Sequence, residues 1–194
     1  MVELHSKFVE RINNEFGSDA NAFLEALVTE PVTSIRINTQ KVTDAKLTDV
    51  VPWASNAMYL SQRPVFTLDP IFNVGGYYVQ EASSMFVEQA FKQHVTVSDD
   101  LAVLDLCASP GGKSTLLASL LNGKGMLVSN EVVSQRVAPL RENLTKWGYP
   151  NSVVINSDPS VIGKCEGLFD VILVDAPCSG EGMFRKDEGA IGEW

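Results

Sequence analysis

The chain has little of several features that would define its class. It contains only three cysteines, Cys107, Cys165 and Cys178, and two histidines. An odd cysteine count without zinc-ligand spacing excludes a disulfide framework and a zinc knuckle, so we expect no metal. No apolar run approaches the roughly 20 residues of a membrane span, and residues 1–5 lack the pattern of a signal peptide. We therefore expect a cytoplasmic protein without a membrane partner.

Positive charge is also scarce. The net charge is -9 and the isoelectric point is about 4.7. This balance excludes a protein that holds nucleic-acid phosphates over a broad surface of its own. If the substrate is a nucleic acid, the basic surface is local or lies elsewhere. With 45% hydrophobic and 20% charged residues, the chain has the composition of a folded domain.

The second half of the chain alternates between apolar strands and amphipathic helices. The pattern predicts strands at 101–106, 125–129, 151–156 and 169–174, and helices at 113–121 and 134–147. Nearly continuous apolar strands separated by helices indicate an α/β fold whose parallel sheet is covered on both faces. A doubly wound sheet has more strands than these, so we expect a sheet that is incomplete and truncated before its last strands.

The first part of the chain has a different pattern of apolar residues. Apolar residues four apart predict a helix over 4–16, and Asp19 is a candidate cap for a second helix that ends before Pro31. Residues 32–38 predict a strand, and the prolines between 44 and 70 predict irregular connections. A helix is expected over 80–93. We predict a small α+β module over residues 1–74, followed by a larger α/β domain over residues 75–194.

A glycine-rich turn follows the first strand of the larger domain, in the segment DLCASPGGK at 105–113. Gly111 and Gly112 would let a ligand approach the backbone closely. The end of this turn also matches a P-loop, and the run ending at Asp175 matches a magnesium-binding strand. A P-loop, however, needs glycine where Cys107 stands, and Pro110 lacks an amide hydrogen. A nucleotide triphosphatase is therefore the less favoured alternative.

Acidic residues follow the other strands. Glu131 lies twenty positions after Gly111, where a carboxylate would reach the hydroxyls of a cofactor ribose. Asp158 lies on the same edge, but before Pro159 it could also start a helix, and Glu131 could be a solvated loop acid. Acids along one edge would repel a triphosphate and tolerate the positive sulfonium of S-adenosylmethionine. This favours a methyltransferase.

The loop after the last strand, DAPCSGEG at 175–182, carries reactive groups. Asp175 could hydrogen-bond a base, and Cys178 could react as a thiolate if Arg185 or Lys186 lowered its pKa. Cys178 could instead be a small buried side chain. Cys107 is predicted to pack inward while its backbone lines the cofactor. No role is predicted for Cys165.

Four motifs then resemble a known family, the Nop/Sun RNA cytosine-5 methyltransferases. They are 105–115, 175–182 together with Arg185 and Lys186, 78–84, and IRIN at 35–38, which resembles the signature of the family's RNA-contacting N-terminal module. The residues PW at 52–53 and the run EGMFRKD at 181–187 resemble the bacterial F-type branch. That branch methylates a cytosine of small-subunit ribosomal RNA.

The resemblance implies a Rossmann-like fold and S-adenosylmethionine as cofactor. It implies that Glu131 holds the ribose, that Asp158 reads the adenine edge, and that Asp175 faces both the cofactor and the target base. The residues implied around the methionine part are Cys107, Ala108, Ser109, Pro110, Gly111, Gly112 and Lys113. The implied partner is ribosomal RNA or the small ribosomal subunit, and we expect a monomer.

The resemblance also implies an incomplete catalytic set. Asp175 and Cys178 are the catalytic residues that match, with Cys178 assisting product release. The attacking cysteine of the family belongs to a later motif that does not occur in residues 1–194. We therefore expect this chain to be inactive by itself. A non-catalytic module that binds RNA or cofactor is the alternative.

Overall fold

The computed structural model describes residues 4–194, apart from the side chain of residue 188. It contains two compact units, one formed by residues 33–176 and the other by residues up to 32 together with 177–194. The units do not divide at residue 74. The functional division that the sequence predicts there stays a prediction.

The smaller unit contains the two predicted N-terminal helices, α1 (Ser6–Phe16) and α2 (Ala20–Leu27), and a last helix over Glu188–Glu193. The predicted inner face of α1 is confirmed at Phe8 and Ile12, which are buried, but not at Phe16, which is 44% exposed. The capping role predicted for Asp19 is wrong, because a 3-10 turn over Gly17–Asp19 joins the helices and the Asp19 side chain makes no capping hydrogen bond. Phe8, Ile12, Ala20 and Phe184 form the core of this unit.

The larger unit begins with a three-stranded antiparallel sheet. Its strands are β1 (Thr33–Ile37), β2 (Ala57–Leu60) and β3 (Tyr77–Val79), in the order β2-β1-β3. Every residue of β1 is buried because it is the central strand. A short helix, α3 (Pro70–Asn73), precedes β3. The segment at 77–79 therefore belongs to this sheet rather than to the start of the next one.

The parallel sheet of the same unit confirms the predicted α/β fold. Its strands are β4 (Ala102–Asp105), β5 (Met126–Asn130), β6 (Ser152–Ile155) and β7 (Val171–Leu173), in the order β6-β5-β4-β7. The helices are α4 (Val87–His94), α5 (Gly112–Leu121), α6 (Ser134–Trp147) and α7 (Pro159–Ile162). The predicted helix at 80–93 is shorter, since residues 83–86 form a 3-10 turn.

The core of the parallel sheet lies around its central strands. Val103, Leu104 and Leu127 are buried there, and they are joined by Leu117, Leu121 and Trp147 from the helices. The outer strands differ from the prediction that both faces are covered. Val153 of β6 is 45% exposed and Ile172 of β7 is 56% exposed.

Buried polar groups join the antiparallel sheet to the helices of the parallel sheet. Asn38 donates from Nδ2 to the carbonyls of Gly75 and Trp147, at 3.1 and 2.8 Å. Arg36 and Asn38, which the resemblance places in an RNA-contacting module, are 2% and 0% exposed. These two side chains bind the protein interior and are not available to RNA. Across residues 4–194, no helix is both long and apolar enough to cross a bilayer.

Candidate functional site

The parallel register brings four acidic residues to one edge of the sheet. Asp105 ends β4 and pairs in register with Ser129 of β5 and Leu173 of β7. Glu131 follows β5 directly, whereas Asp158 follows β6 and Asp175 follows β7 after short connections. The carboxyl ends of parallel strands are where open α/β sheets bind their ligands.

Asp105 is the functional candidate that sequence reasoning left out of the site. Its side chain is fully buried, and Oδ2 accepts a hydrogen bond of 2.6 Å from Ser114 Oγ. Oδ1 has no hydrogen-bond partner among the described residues. Burial raises the pKa of Asp105 to about 6, the Ser114 bond and Lys113 oppose this, and Asp175 and Glu131 add to it. Its place at the start of the glycine motif was the available signal.

The glycines of the turn at 107–113 lie close to side chains of neighbouring elements. Gly111 has φ +110°, which favours glycine, and a Cβ there would lie 3.4 Å from atoms of Leu140 and Asn143 on α6. A Cβ on Gly112 would point at Tyr78, also at 3.4 Å. Protein atoms lie at contact distance in both directions, and the expectation that these glycines let a ligand approach the backbone stays a prediction.

The rest of the turn is tied to the neighbouring strand end and to α6. Ala108 N–H donates to the Asn130 carbonyl at 2.8 Å, and Pro110, which follows a cis peptide bond, accepts from Asn143 Nδ2 at 2.8 Å. Ser109 Oγ donates to the Arg136 carbonyl at 2.8 Å, and Arg136 Nη2 returns a bond of 2.9 Å to the Ser109 carbonyl. The turn is thus fixed on both sides.

Cys107 is half-buried, as its predicted packing role requires. Burial raises the pKa of its thiol, and the carboxylates of Glu131, Asp105 and Asp175 raise it further. A thiol with a raised pKa is a poor nucleophile at neutral pH. Cys107 is therefore not a substitute for an attacking cysteine.

Asn130 is a second residue that sequence reasoning missed. It is fully buried at the end of β5 and donates from Nδ2 to the carbonyls of Leu106 and Ser157, both at 3.1 Å. Its Oδ1 accepts from Ser157 N–H at 3.0 Å. One amide side chain therefore aligns the loops that follow three strands. An asparagine at a strand end gives no sequence signal of such cross-links.

Glu131 is only 3% exposed, so the alternative of a solvated loop acid is wrong. Its Oε1 accepts the Val133 N–H at 2.9 Å, and Oε2 lies 3.9 Å from Arg136 Nε. The backbone bond and the cation fix the direction of the carboxylate. An oriented, nearly buried carboxylate is suited to bind hydroxyl groups.

Asp158 is exposed and starts α7, as the alternative interpretation of its Asp-Pro sequence predicted. Its Oδ1 accepts the Ser160 N–H at 2.8 Å, and this bond lowers the pKa of Asp158. The adenine-reading role implied by the resemblance stays a prediction. At least one of its oxygens is already used by the helix cap.

Asp175 forms an ion pair with Lys113, with Oδ2 and Nζ 2.6 Å apart. This contact joins the turn after β4 to the loop after β7. Cys178 is an exposed residue of the smaller unit, where Arg185 Nη2 donates to the Glu30 carbonyl at 3.0 Å. The exposure of Cys178 contradicts the alternative that it is a buried packing residue. A reactive role for Cys178 stays a prediction.

The edge has the chemistry of a site for a cationic or hydroxyl-rich small molecule. Asp105, Glu131 and Asp175 are acceptors, and the buried Oδ1 of Asp105 lacks a donor. The single ammonium, that of Lys113, is already paired with Asp175. These residues fit an adenosyl cofactor with a positive sulfonium better than a triphosphate. In the described part of the chain, no group of three or more His, Cys, Asp or Glu side chains could hold a metal ion.

Comparison with protein families gives two matches that together cover most of the chain. Residues 93–191 match the family model described as 16S rRNA methyltransferase RsmB/F. Residues 4–82 match the model of the N-terminal domain of 16S rRNA methyltransferase RsmF. The second match contains all three strands of the antiparallel sheet, and the first contains all four strands of the parallel sheet.

Curated relatives agree with the family matches. The chain is 34% identical to ribosomal RNA small subunit methyltransferase F of Shewanella woodyi, an alignment that covers the whole chain and 44% of that relative. It is 39% identical to the protein of the same name from Aeromonas hydrophila, over 83% of the chain and 37% of the relative. The chain thus spans less than half of the length of these relatives.

A solved structure has the same fold. A methyltransferase homolog protein from Pyrococcus horikoshii is 29% identical and superimposes with a TM-score of 0.78. The superposition covers 96% of this chain and 63% of that protein. The Rossmann-like methyltransferase fold that the sequence predicts is therefore confirmed.

Proposed function

The chain belongs to the RsmB/F family of 16S rRNA methyltransferases, and we propose that it carries the cofactor site of an enzyme that methylates carbon 5 of a cytosine in small-subunit ribosomal RNA. The observation that supports this best is the acidic edge of the parallel sheet, where Glu131 is nearly buried and oriented. The proposed cofactor is S-adenosylmethionine, which supplies a methyl group on a positively charged sulfur when bound.

Different residues of the edge would bind different parts of the cofactor. Glu131 would accept hydrogen bonds from the ribose hydroxyls, and Asp158 would lie at the adenine. Asp105, through its unpartnered Oδ1, would accept a donor or hold a proton itself. The backbone of Cys107, Ala108, Ser109, Pro110, Gly111, Gly112 and Lys113 would surround the methionine part.

Asp175 would face the target base, with Lys113 holding its carboxylate in place. A base that is stacked in RNA must be unstacked before it can reach such an edge. Cys178 would assist release of the methylated product. The cysteine that attacks the base is proposed to lie outside residues 1–194, so this chain would bind the cofactor without methylating RNA.

The proposed setting follows from the substrate. We place the protein in the cytoplasm, as a monomer, with ribosomal RNA or the small ribosomal subunit as its partner. Residues 1–74 are proposed as the module that contacts RNA, through residues other than the buried Arg36 and Asn38. The acidic chain is expected to bind RNA weakly alone.

Two other functions make different predictions about ligands. A triphosphatase would need its lysine for phosphates, but Lys113 is paired with Asp175, and Cys107 stands where a P-loop has glycine. A non-catalytic module would bind cofactor or RNA as part of a protein that never transfers a methyl group. Cofactor binding by this chain separates the first alternative from our proposal. Methyl transfer by a longer protein that includes this chain separates the second, because both predict an inactive chain.

Calorimetric titration of the chain with S-adenosylmethionine tests the proposed cofactor site, with ATP and magnesium as the parallel ligand. We expect S-adenosylmethionine alone to bind, and Glu131→Ala to weaken it roughly 10- to 100-fold through the loss of charged hydrogen bonds. Glu142→Ala is the matched control, because Glu142 is an exposed acid of α6 that pairs only with Lys146 across one helical turn. ATP binding without S-adenosylmethionine binding would contradict the proposal.

A further inference from the structure

Arg36 of β1 is a charged side chain that is buried among neutral groups. It is 2% exposed, and its guanidinium lies 4.6 Å from the centre of the Trp147 indole ring. Nε donates to Gln80 Oε1 at 3.0 Å, and Nη2 donates to the Gly112 carbonyl at 3.1 Å and to Thr115 Oγ1 at 2.6 Å. All of these acceptors are neutral.

A buried cation is normally paired with a carboxylate. Within residues 4–194, Arg36 takes part in none of the ion pairs. Desolvation lowers the pKa of Arg36 to about 9, with Tyr78 and Glu88 opposing the shift, so the side chain is charged at pH 7. The fold thus keeps a desolvated charge at this position without a counter-ion, which points to a role other than stability.

The acceptors of Arg36 identify what it holds. Gly112 and Thr115 are in the first turn of α5, directly after the glycine turn at 107–113. Thr115 Oγ1 accepts from Arg36, and it lies 2.8 Å from the Gly111 carbonyl and 3.1 Å from the Gly112 carbonyl, so its proton is best placed to bond the nearer Gly111. A continuous hydrogen-bond path therefore runs from Arg36 through Thr115 to Gly111, the residue with φ +110° that shapes the turn.

The partner strand completes the support beneath the turn. A Cβ on Gly112 would lie 3.4 Å from Tyr78 Cε1 and 3.6 Å from Gln80 Nε2. Gln80 is the same side chain that accepts from Arg36 Nε. The antiparallel sheet therefore contacts the underside of the turn in two ways, by packing and by the guanidinium fork.

We propose that Arg36 is a positioning residue for S-adenosylmethionine, which fixes from the antiparallel sheet the turn that surrounds the methionine part of the cofactor. The inference rests on the proposed function. Arg36 acts through Gly112, Thr115 and Gly111 and does not touch the cofactor itself. Its loss would loosen the turn and leave Glu131, which α6 and its own loop hold, in place.

The test compares two ligands that share the adenosine part. S-adenosylmethionine carries the aminocarboxypropyl group of methionine on a positive sulfur, and 5′-methylthioadenosine has a neutral sulfur without that group. For Arg36→Gln we expect affinity for S-adenosylmethionine to fall about tenfold or more, while affinity for 5′-methylthioadenosine stays within about twofold. Arg36→Lys keeps the charge but not the fork, so it should show the same selective loss.

A second pair of variants keeps the test valid if Arg36 variants do not fold. Thr115→Val removes the hydroxyl of the path, and we expect a selective loss of severalfold, whereas Thr115→Ser keeps the hydroxyl and should bind both ligands like the native chain. Asn38→Ala is the matched control, because Asn38 is equally buried on the same segment but bonds to Gly75 and Trp147 instead of the turn. It should lower the unfolding temperature without changing the ratio of the two affinities.

Measurements are made below the unfolding temperature of every variant. Folded Arg36 and Thr115 variants that bind both ligands like the native chain, or that lose both in equal proportion, would overturn the inference. A native chain that binds neither ligand would instead contradict the proposed function, which the native titration shows before any variant is made.

Discussion

At the scale of single residues, the surroundings of Asp105 disfavour the ionised form of its carboxyl group. The carboxyl is fully buried, accepts one hydrogen bond from Ser114, and lies in the field of two further carboxylates. Its pKa is therefore raised from an ordinary value of 3.8 to about 6. A cofactor that brings a donor or a positive charge to this edge would relieve the same unfavourable field.

Replacing Asp105 by asparagine should change how stability depends on pH. Because the folded pKa is raised, the stabilising contribution of the protonated form is full below pH 3.8 and is lost as pH rises through about 6. At pH 7 the Asp105→Asn variant should be more stable than the native chain by up to about 3 kcal/mol, since the ionised form no longer has to be buried.

Urea unfolding between pH 4.5 and 7.5 measures this difference. The two curves should approach each other toward the acid end, and they should separate as pH rises. Glu142→Gln is the control, because Glu142 is an exposed acid paired with Lys146 and is not among the groups that shift the pKa of Asp105, so its replacement should not reproduce the effect. Curves that run parallel across the range would contradict the raised pKa.

At the scale of elements, the loop between α3 and β3 is fitted closely to the end of α6. Gly75 has φ +74°, and a Cβ there would lie 2.1 Å from the Lys146 carbonyl oxygen. Neither backbone can move without breaking the hydrogen bonds that Asn38 makes to Gly75 and Trp147. This contact fixes where the antiparallel sheet meets the helix.

Gly75→Ala should therefore destabilise the chain far more than its backbone conformation alone explains. Gly123→Ala is the matched control, since Gly123 has φ +83° but no atom lies within 4 Å of its added Cβ. We expect roughly 1 kcal/mol for Gly123→Ala, and at least about 3 kcal/mol for Gly75→Ala because the clash adds to the conformational cost. Thermal unfolding of both variants measures this, and equal losses would show that the close contact has no cost of its own.

The sequence predicts the elements that depend on local patterns. Strands β4 to β7 and helices α5 and α6 were expected because apolar runs and amphipathic periods are local signals. The environment of Arg36 was not expected, since its burial depends on Gln80 and Thr115, which are distant in sequence. Asn130 was missed for the same reason, because its side chain bonds to residues that follow other strands. Asp105 was missed although its place at the start of the glycine motif was an available signal. Glu131 was predicted because its distance of twenty residues from Gly111 can be read directly from the sequence.

At the scale of the whole molecule, the described chain contains the acidic edge that we propose binds the cofactor, and no attacking thiol has been identified in it. Cys107 has a raised pKa, and Cys178 is proposed to act in product release. The net charge of -9 also opposes tight association with RNA phosphates. The proposed activity therefore needs an attacking group that has not been identified in residues 4–194.

Incubation with labelled S-adenosylmethionine and unmodified small ribosomal subunits should give no methyl transfer by this chain. The full-length relative from Shewanella woodyi is the positive control, since this chain aligns with 44% of it. Low salt should be used, so that weak RNA binding does not explain a negative result. Turnover by the chain alone would show that the attacking residue lies within residues 1–194.

Arg36 and Asn38 can be buried only after the later residues that they bond to have been synthesised. Arg36 reaches Thr115 across 79 residues of sequence, and Asn38 reaches Trp147 across 109. While the chain is being synthesised, β1 leaves the ribosome long before its partners exist, and its guanidinium must stay in water until α5 has emerged. The strands of the antiparallel sheet are thus synthesised first, but the hydrogen bonds of Arg36 and Asn38 form only after Thr115 and Trp147 have been synthesised. A nascent chain that stalls before Trp147 would expose the same polar groups that the finished protein hides, and quality-control factors could distinguish the two.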